Sequence, residues 1–237
     1  MVCVDKALVV IPTYNERENI ERLTRAILAQ GEAFDVLIID DRSPDGTGAI
    51  ADRLAAETPR VKAIHRDGKL GLGTAELSGM RYAIEHDYRT VITMDADFSH
   101  DPKYLNGLAA GIGEYDLMMG SRYVPGGGVA GWGWRRRTMS RAANFLSRLI
   151  LGLPQRDSSS GYKAYRVEML RKLDLDRVFA TGYAFQEEMV FRCWKAGFRI
   201  GEYPIVFEDR RVGKSKINLG EGVKLLWTLL KLRWKGP

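Results

Sequence analysis

The chain has 237 residues, 45% of them hydrophobic, enough to bury the core of one ordinary domain, which excludes a disordered tail or a low-complexity scaffold. Its net charge of +6 conceals a division: residues 1–120 carry 13 basic and 20 acidic groups (net −7), and residues 121–237 carry 23 and 10 (net +13). A basic half of that size calls for an anionic partner, and composition alone leaves nucleic acid, acidic membrane and phosphorylated substrate open.

Ala7 to Ile11 is a near-continuous aliphatic run, as expected of a strand buried on both faces, and Pro12 is expected to stop it. Asn15 to Gln30 carries Ile20, Leu23, Ile27 and Leu28 at helical spacing. Val36 to Ile39 reads as a second buried strand ending in Asp40-Asp41; Ser43-Pro44-Asp45-Gly46 is turn chemistry, and a helix through Glu57 follows. Val61 to His65 predicts a third strand, Thr74 to Glu85 a helix, and Val91 to Met94 a fourth strand that delivers Asp95 and Asp97. Such alternation implies an α/β fold with a mostly parallel sheet covered by helices, whose ligands gather at the carboxyl ends of the strands. Three polar segments leave those ends and are expected to face one crevice: Pro12-Thr13-Tyr14-Asn15-Glu16, Asp40-Asp41-Arg42-Ser43 and Asp95-Ala96-Asp97.

After Gly120 the pattern changes. Gly126-Gly127-Gly128 reads as a flexible loop, and Arg135 to Leu151 mixes Met139, Phe145, Leu146 and Leu149 with Arg135, Arg136, Arg137, Arg141 and Arg148. The segment 217–235 is a second amphipathic helix, with Leu219, Val223, Leu226, Trp227, Leu230 and Trp234 on one face and Lys224, Lys231 and Lys235 on the other. Helices of this kind can lie in a membrane interface; the alternative is ordinary packing on the sheet. No N-terminal leader and no run of about 18 apolar residues is evident, so the expected location is cytoplasmic, with peripheral membrane attachment. Cys3 and Cys193 lack metal-ligand spacing and are expected to be unpaired thiols.

Asp95 and Asp97, one residue apart beyond a buried strand, suit a hard divalent cation that shares its oxygen ligands with substrate phosphates, Mg2+ or Mn2+. An Asp-x-Asp alone is weak, since two loop acids can simply cap a turn. Ser99, His100 and Asp101-Pro102 follow at once, however, and carboxylates gathered beside Asp40-Asp41 repel one another unless a cation or ligand offsets them. His65 and His86 read as structural and His100 is left open; no histidine sits in a nucleophile motif.

The segments V-V-I-P-T-Y-N-E, I-I-D-D-R-S-P-D-G-T, G-L-G-T-A, M-D-A-D-F-S-H-D-P, G-S-R-Y-V-P-G-G and S-G-Y-K-A-Y-R stand in the order seen in dolichyl-phosphate (polyprenyl-phosphate) mannosyltransferases, which the chain resembles from Leu8 to Asn218. That family belongs to the inverting glycosyltransferases with the GT-A fold. The resemblance implies one GT-A domain over residues 1–237, with Pro12, Tyr14, Glu16, Ile39 and Asp41 holding the nucleotide and Asp95, Ala96 and Asp97 binding donor and metal. It adds Ser99 as a further metal contact, Arg122, Arg136 and Ser140 around the acceptor phosphate, and Arg210 and Lys216 on the donor phosphates, so that Asp97, Arg122, Arg210 and Lys216 form the catalytic set. Glu187-Glu188 would line a sugar or else begin an exposed helix.

The implied reaction takes mannose from GDP-mannose to a polyprenyl phosphate, with the membrane reached peripherally or through an anchoring protein partner. Ser99-His100 stands where relatives transferring glucose or amino sugars more often have Gln-Asp, which favours mannose. The competing readings are a polyprenyl-phosphate glucosyl- or amino-sugar transferase using a UDP-sugar, and a non-catalytic nucleotide-sugar-binding membrane module. A dehydrogenase is disfavoured because no G-x-G-x-x-G follows the first strand. No nucleic-acid partner is expected, because the basic residues carry no nucleic-acid motif.

Overall fold

The computed structural model describes residues 6–180, 182, 184–209 and 219–236. Arg210, Lys216 and Cys3 lie outside the described residues, as does the start of the C-terminal segment at Ile217 and Asn218.

In chain order the elements are β1 (Ala7–Thr13), α1 (Ile20–Leu28), β2 (Phe34–Asp40), α2 (Thr47–Glu57), β3 (Val61–His65), α3 (Leu72–Glu85), β4 (Thr90–Thr93), α4 (Leu105–Gly111) and β5 (Leu117–Ser121). They continue with β6 (Gly128–Ala130), α5 (Trp134–Leu151), β7 (Lys163–Arg166), α6 (Val167–Leu170), α7 (Ala184–Lys195), β8 (Ile200–Pro204), β9 (Val206–Glu208) and α8 (Leu219–Lys235). Seven strands form one sheet in the order β3-β2-β1-β4-β7-β5-β8, parallel except for β7, which runs antiparallel to both neighbours. β6 and β9 form a separate two-stranded piece.

Alternation along each strand divides the core. Leu8, Val10, Leu37, Ile39, Val91 and Met119 point to the face covered by α3, α7 and α8, where Met80, Phe185, Met189, Leu229 and Leu232 meet them. Ala7, Val9, Ile11, Val36, Ile38 and Ile92 point to the other face, under α1, α2 and α4. A sheet buried on both sides explains the unbroken aliphatic runs.

Pro12 does not end β1. Beyond Val10, which pairs with Thr93, the strand pairs with β2 alone through Thr13, so an imide without an N–H costs no bond on the β4 side. α1 begins at Ile20 rather than Asn15, because Asn15 is left-handed (φ 62°) and the backbone N–H groups of Asn15, Glu16 and Arg17 donate to Ser43 Oγ, Thr47 Oγ1 and an Asp45 carboxylate oxygen at 3.0–3.1 Å. α5 and α8 pack together, and α8 turns Leu229 and Leu232 into the core while leaving Leu226, Trp227 and Trp234 exposed. The helix therefore packs on the body and still presents an aromatic face outward. No helix among the described residues is long and apolar enough to cross a membrane. Cys193 is buried and unpaired, its thiol pushed up to about 12 by burial.

α3 reaches β1 closely because Gly79 lacks a side chain: a Cβ there would stand 2.4 Å from Val10 Cγ1. Gly79→Val is expected to lower unfolding stability by roughly 2–3 kcal/mol through overpacking. Gly68→Ala, with open space around its Cβ position, should stay within about 0.5 kcal/mol of wild type in the same urea titration.

Candidate active site

β1 has β2 on one side and β4 on the other, so the chain winds outward through β2 and β3 and then returns to the opposite side of β1. A crevice opens at the carboxyl ends where that order reverses. The loops after β1, β2 and β4 all arrive there. Among the described residues four non-glycines have a left-handed backbone, and three of them, Asn15, Arg42 and Phe98, sit one in each of these loops. Such conformations persist where surrounding bonds over-determine them. Here Asp40 accepts from Thr13 Oγ1, Ser43 N and Ser43 Oγ, and Asp45 accepts from Thr47, so the first two loops are stitched to each other.

Of the residues expected on the nucleotide side, Tyr14 is exposed with Lys69 Nζ 3.9 Å above its ring, and Ile39 is buried within β2. Glu16 accepts from Asn19 Nδ2 at 2.9 Å, and its carbonyl accepts from Asn19 and Ile20 N–H, so it also organises the entry to α1. Asp41 is buried: its carboxylate holds Arg66 and accepts from the backbone N–H of Leu70 and Gly71, which fixes the loop before α3. A cavity of about 500 Å3 opens beside it, lined by Arg42, Ser43, Pro44, Asp52, His65 and Arg66 among others.

Asp95 remains half-exposed while Asp97 and Ser99 are buried. The left-handed turn at Phe98 brings the Ser99 N–H and hydroxyl back onto Asp97 Oδ1 at 3.0 and 2.5 Å. Ser99 thus orients the carboxylate of Asp97. His100, left open by the sequence, is buried, and its Nδ1 accepts from the Asp95 N–H at 2.9 Å; burial lowers its pKa, so the ring is neutral with its proton on Nε2. Among the described residues no three His, Cys, Asp or Glu side chains form a closed metal cage. A pair of carboxylates, one of them facing outward, fits a hard cation completed by phosphate oxygens and water rather than zinc.

Beneath Asp95 lies a network that sequence reasoning missed. Lys163, fully buried at the start of β7, donates to the Ser160 carbonyl and to Gln186 Oε1 (2.6 Å), and Gln186 Nε2 donates to Glu76 Oε1 (2.7 Å). A methyl group at Gly161 would stand 3.6 Å from Gln186 Nε2 and 3.8 Å from Asp95 Oδ1. Burial pushes the Glu76 carboxyl up and the Lys163 ammonium down, and each charge partly offsets the shift of the other. Glu187-Glu188 does not begin an exposed helix: the two residues are 2% and 0% exposed. Glu188 accepts from Phe179 N, Ala180 N and Arg192, and burial raises the Glu187 carboxyl.

The basic half contributes a second cluster. Arg122 is buried, its Nε and Nη2 held bidentately by Asp157 at 2.7 and 2.6 Å, with Nη2 also donating to Ser159. Its guanidinium lies 5.4–5.6 Å from the ring centroids of Tyr123, Trp132 and Phe207. Arg136 approaches the same Trp132 ring at 4.1 Å and pairs with Asp209, and Ser140 accepts from the Tyr123 hydroxyl at 2.7 Å. Arg122, Arg136 and Ser140 are therefore brought together, around an indole the sequence did not single out. Trp132 Nε1 and Arg136 Nε are buried donors without a partner. Phe207 on β9 touches both this cluster and His100, linking it to the acidic pair.

Lys163→Met, which strands Glu76, is expected to cost about 3–5 kcal/mol in denaturant unfolding. Adding Glu76→Gln should recover about 1 kcal/mol or more, the signature of direct coupling.

The model of Glycosyl transferase family 2 matches residues 8–174. The chain is 45% identical over 215 residues to the polyprenol monophosphomannose synthase of Mycolicibacterium smegmatis, covering 90% of this chain and 81% of that protein. It is 42% identical over 236 residues to the undecaprenyl-phosphate mannosyltransferase of Micrococcus luteus, covering 98% and 97%. Among solved structures it is similar to glucosyl-3-phosphoglycerate synthase from Mycobacterium tuberculosis in complex with Mn2+, uridine diphosphate and glucosyl-3-phosphoglycerate, with a TM-score of 0.70, 21% identity and coverage of 98% and 81%. At that identity the likeness is one of fold. The acidic pair at a strand-order reversal, the matched family and relatives sharing more than two-fifths of their residues along nearly the whole chain make this protein a member of glycosyl transferase family 2.

Proposed function

We propose that this glycosyltransferase moves mannose from GDP-mannose to a polyprenyl phosphate with inversion, giving a β-linked polyprenyl-phosphate mannose. The observation that carries the reading is the pair of facing clusters: carboxylates at the strand-order reversal, and an Arg-Trp cluster with unpartnered buried donors, joined through Phe207. The names of the relatives support mannose as the sugar and a prenyl phosphate as the acceptor.

Asp95 and Asp97 would hold Mg2+ or Mn2+, with Ser99 steadying Asp97; the cation would supply positive charge to the departing nucleoside diphosphate. In this reading Pro12, Tyr14, Glu16, Asp41 and Ala96 would contact the nucleotide, with Ile39 supporting them from within β2. Arg210 and Lys216 complete the donor side in this reading. Arg136, Ser140 and Trp132 Nε1 receive the acceptor phosphate, with Arg122 holding the aromatic wall in place through its bond to Asp157.

A phosphate monoester, with a second pKa of about 6, is already anionic near neutral pH, so its oxygen attacks the anomeric carbon without a protein base. The chain has only to align two anions and exclude water. Direct displacement on an α-linked donor yields a β-linked product. The exposed Trp134, Met139, Phe145 and Leu149 of α5, with Leu226, Trp227 and Trp234 of α8, support peripheral attachment to a membrane, in this reading at its cytoplasmic face, alone or with an anchoring protein.

A transfer assay with short polyprenyl phosphate and either metal ion should show incorporation from GDP-mannose and little from UDP-glucose or UDP-N-acetylglucosamine, with a β anomer by NMR. An α anomer would overturn direct displacement. Asp97→Ala should reduce transfer at least about a hundredfold; undiminished transfer would point to a non-catalytic role for the acidic pair. Trp132→Phe, which keeps the ring and loses the donor, should raise the acceptor KM roughly tenfold with donor KM unchanged.

A further inference from the structure

Along α5, Arg141, Asn144, Phe145 and Arg148 recur at spacings of three and four and so share one face of the helix. With Tyr123 and Arg156 they line a cavity of about 380 Å3, within the range of small-molecule sites. Among the described residues no carboxylate pairs with the side chain of Arg141, Arg148 or Arg156. The nearby Glu202 is engaged by the backbone N–H groups of Arg156 and Asp157 instead. Arg148 Nε is buried and has no hydrogen-bond partner. Three guanidiniums converging without an acid repel one another unless an anion joins them.

The cavity adjoins the acceptor cluster and shares a wall with it. Tyr123 donates to Ser140, and Asn144 donates to the Ser140 carbonyl and to Ser159 Oγ, which also accepts from Arg122, so Tyr123 and Asn144 form that wall. Its rim is apolar: Phe145 is 64% exposed and Leu149, one turn on, 70%. The complement of such a pocket is an amphiphile with a phosphate head and an apolar tail, since paired guanidinium donors match phosphate oxygens.

We propose that Arg141, Arg148 and Arg156 form a second anion site, which seats the phosphate of an anionic membrane phospholipid while Phe145 and Leu149 meet its acyl chains. The site goes beyond the transfer reaction and stands whatever the donor sugar is. It gives the enzyme a fixed depth and orientation at the membrane instead of a diffuse attraction.

The test is calorimetric titration of the whole chain with dihexanoyl phosphatidylglycerol below its micellar concentration, beside dihexanoyl phosphatidylcholine and inorganic phosphate. One saturable site for the anionic lipid is expected, weakened at least about tenfold, or roughly 1.4 kcal/mol, in R141Q/R148Q/R156Q. It should be little changed in R135Q/R137Q/R233Q, which removes as much charge from α5 and α8 outside the cavity lining. Circular dichroism verifies folding; where Arg148→Gln impairs it, R141Q/R156Q alters only exposed side chains and should still weaken the site severalfold. Absence of a saturable site, equal loss in both triple variants, or retention in the first overturns the proposal. Inorganic phosphate binding as tightly as the lipid overturns the lipid assignment and makes the pocket a free-phosphate site.

Discussion

β4 lies against β1 on the side away from β2, and the chemistry of the protein hangs on that placement. Because parallel strands end at the same edge, the loops after β1, β2 and β4 meet across a few residues instead of being spread along the sheet. The left-handed backbones of Asn15, Arg42 and Phe98 record how tightly those loops are drawn together. The loops that carry them are fastened by hydrogen bonds at neighbouring residues, Asn15, Glu16 and Arg17 onto Ser43, Thr47 and Asp45, and Ser99 onto Asp97, so the crevice is shaped before a substrate arrives.

The division of charge along the sequence becomes a division of labour in space. Acidic residues of the first half collect at the strand ends, and basic residues of the second half collect around Trp132 and along α5. The two meet over buried polar groups that belong to both halves: Glu76 reaches Lys163 through Gln186, and His100 reaches Arg122 through Phe207. Glu76 and Lys163 are thus held near each other through an amide instead of a direct pair.

The first half was legible because its signals are local. Aliphatic runs buried on both faces, turn residues and the Asp95-Ala96-Asp97 spacing each lie within a few neighbours, and the strands and helices read from them stand close to where they were placed. Misjudgements there came from long-range bonds: the N–H groups that would have started α1 at Asn15 are claimed by a loop some 30 residues away. In the second half the strands are short and their partners remote. Nothing around Lys163 or Glu76 distinguishes a buried cation or acid from a surface one, because the residues that surround them come from four separate elements. The burial of Glu188 is illegible for the same reason, since its partners Phe179 and Ala180 lie in an irregular segment without a pattern.

β7 carries a further consequence. It fills the gap between β4 and β5, yet it is made more than forty residues after β5. During synthesis, the edge of β4 next to Asp95 and Asp97 stays open until Lys163–Arg166 emerges to pair with it. Residues 1–120 are therefore not a module that can be cut out and kept: severed after Gly120 they would expose a bare strand edge and lack the cation that faces Glu76. Exchanging halves between relatives would have to keep β7 with residues 1–120, although the sequence places it in the basic half.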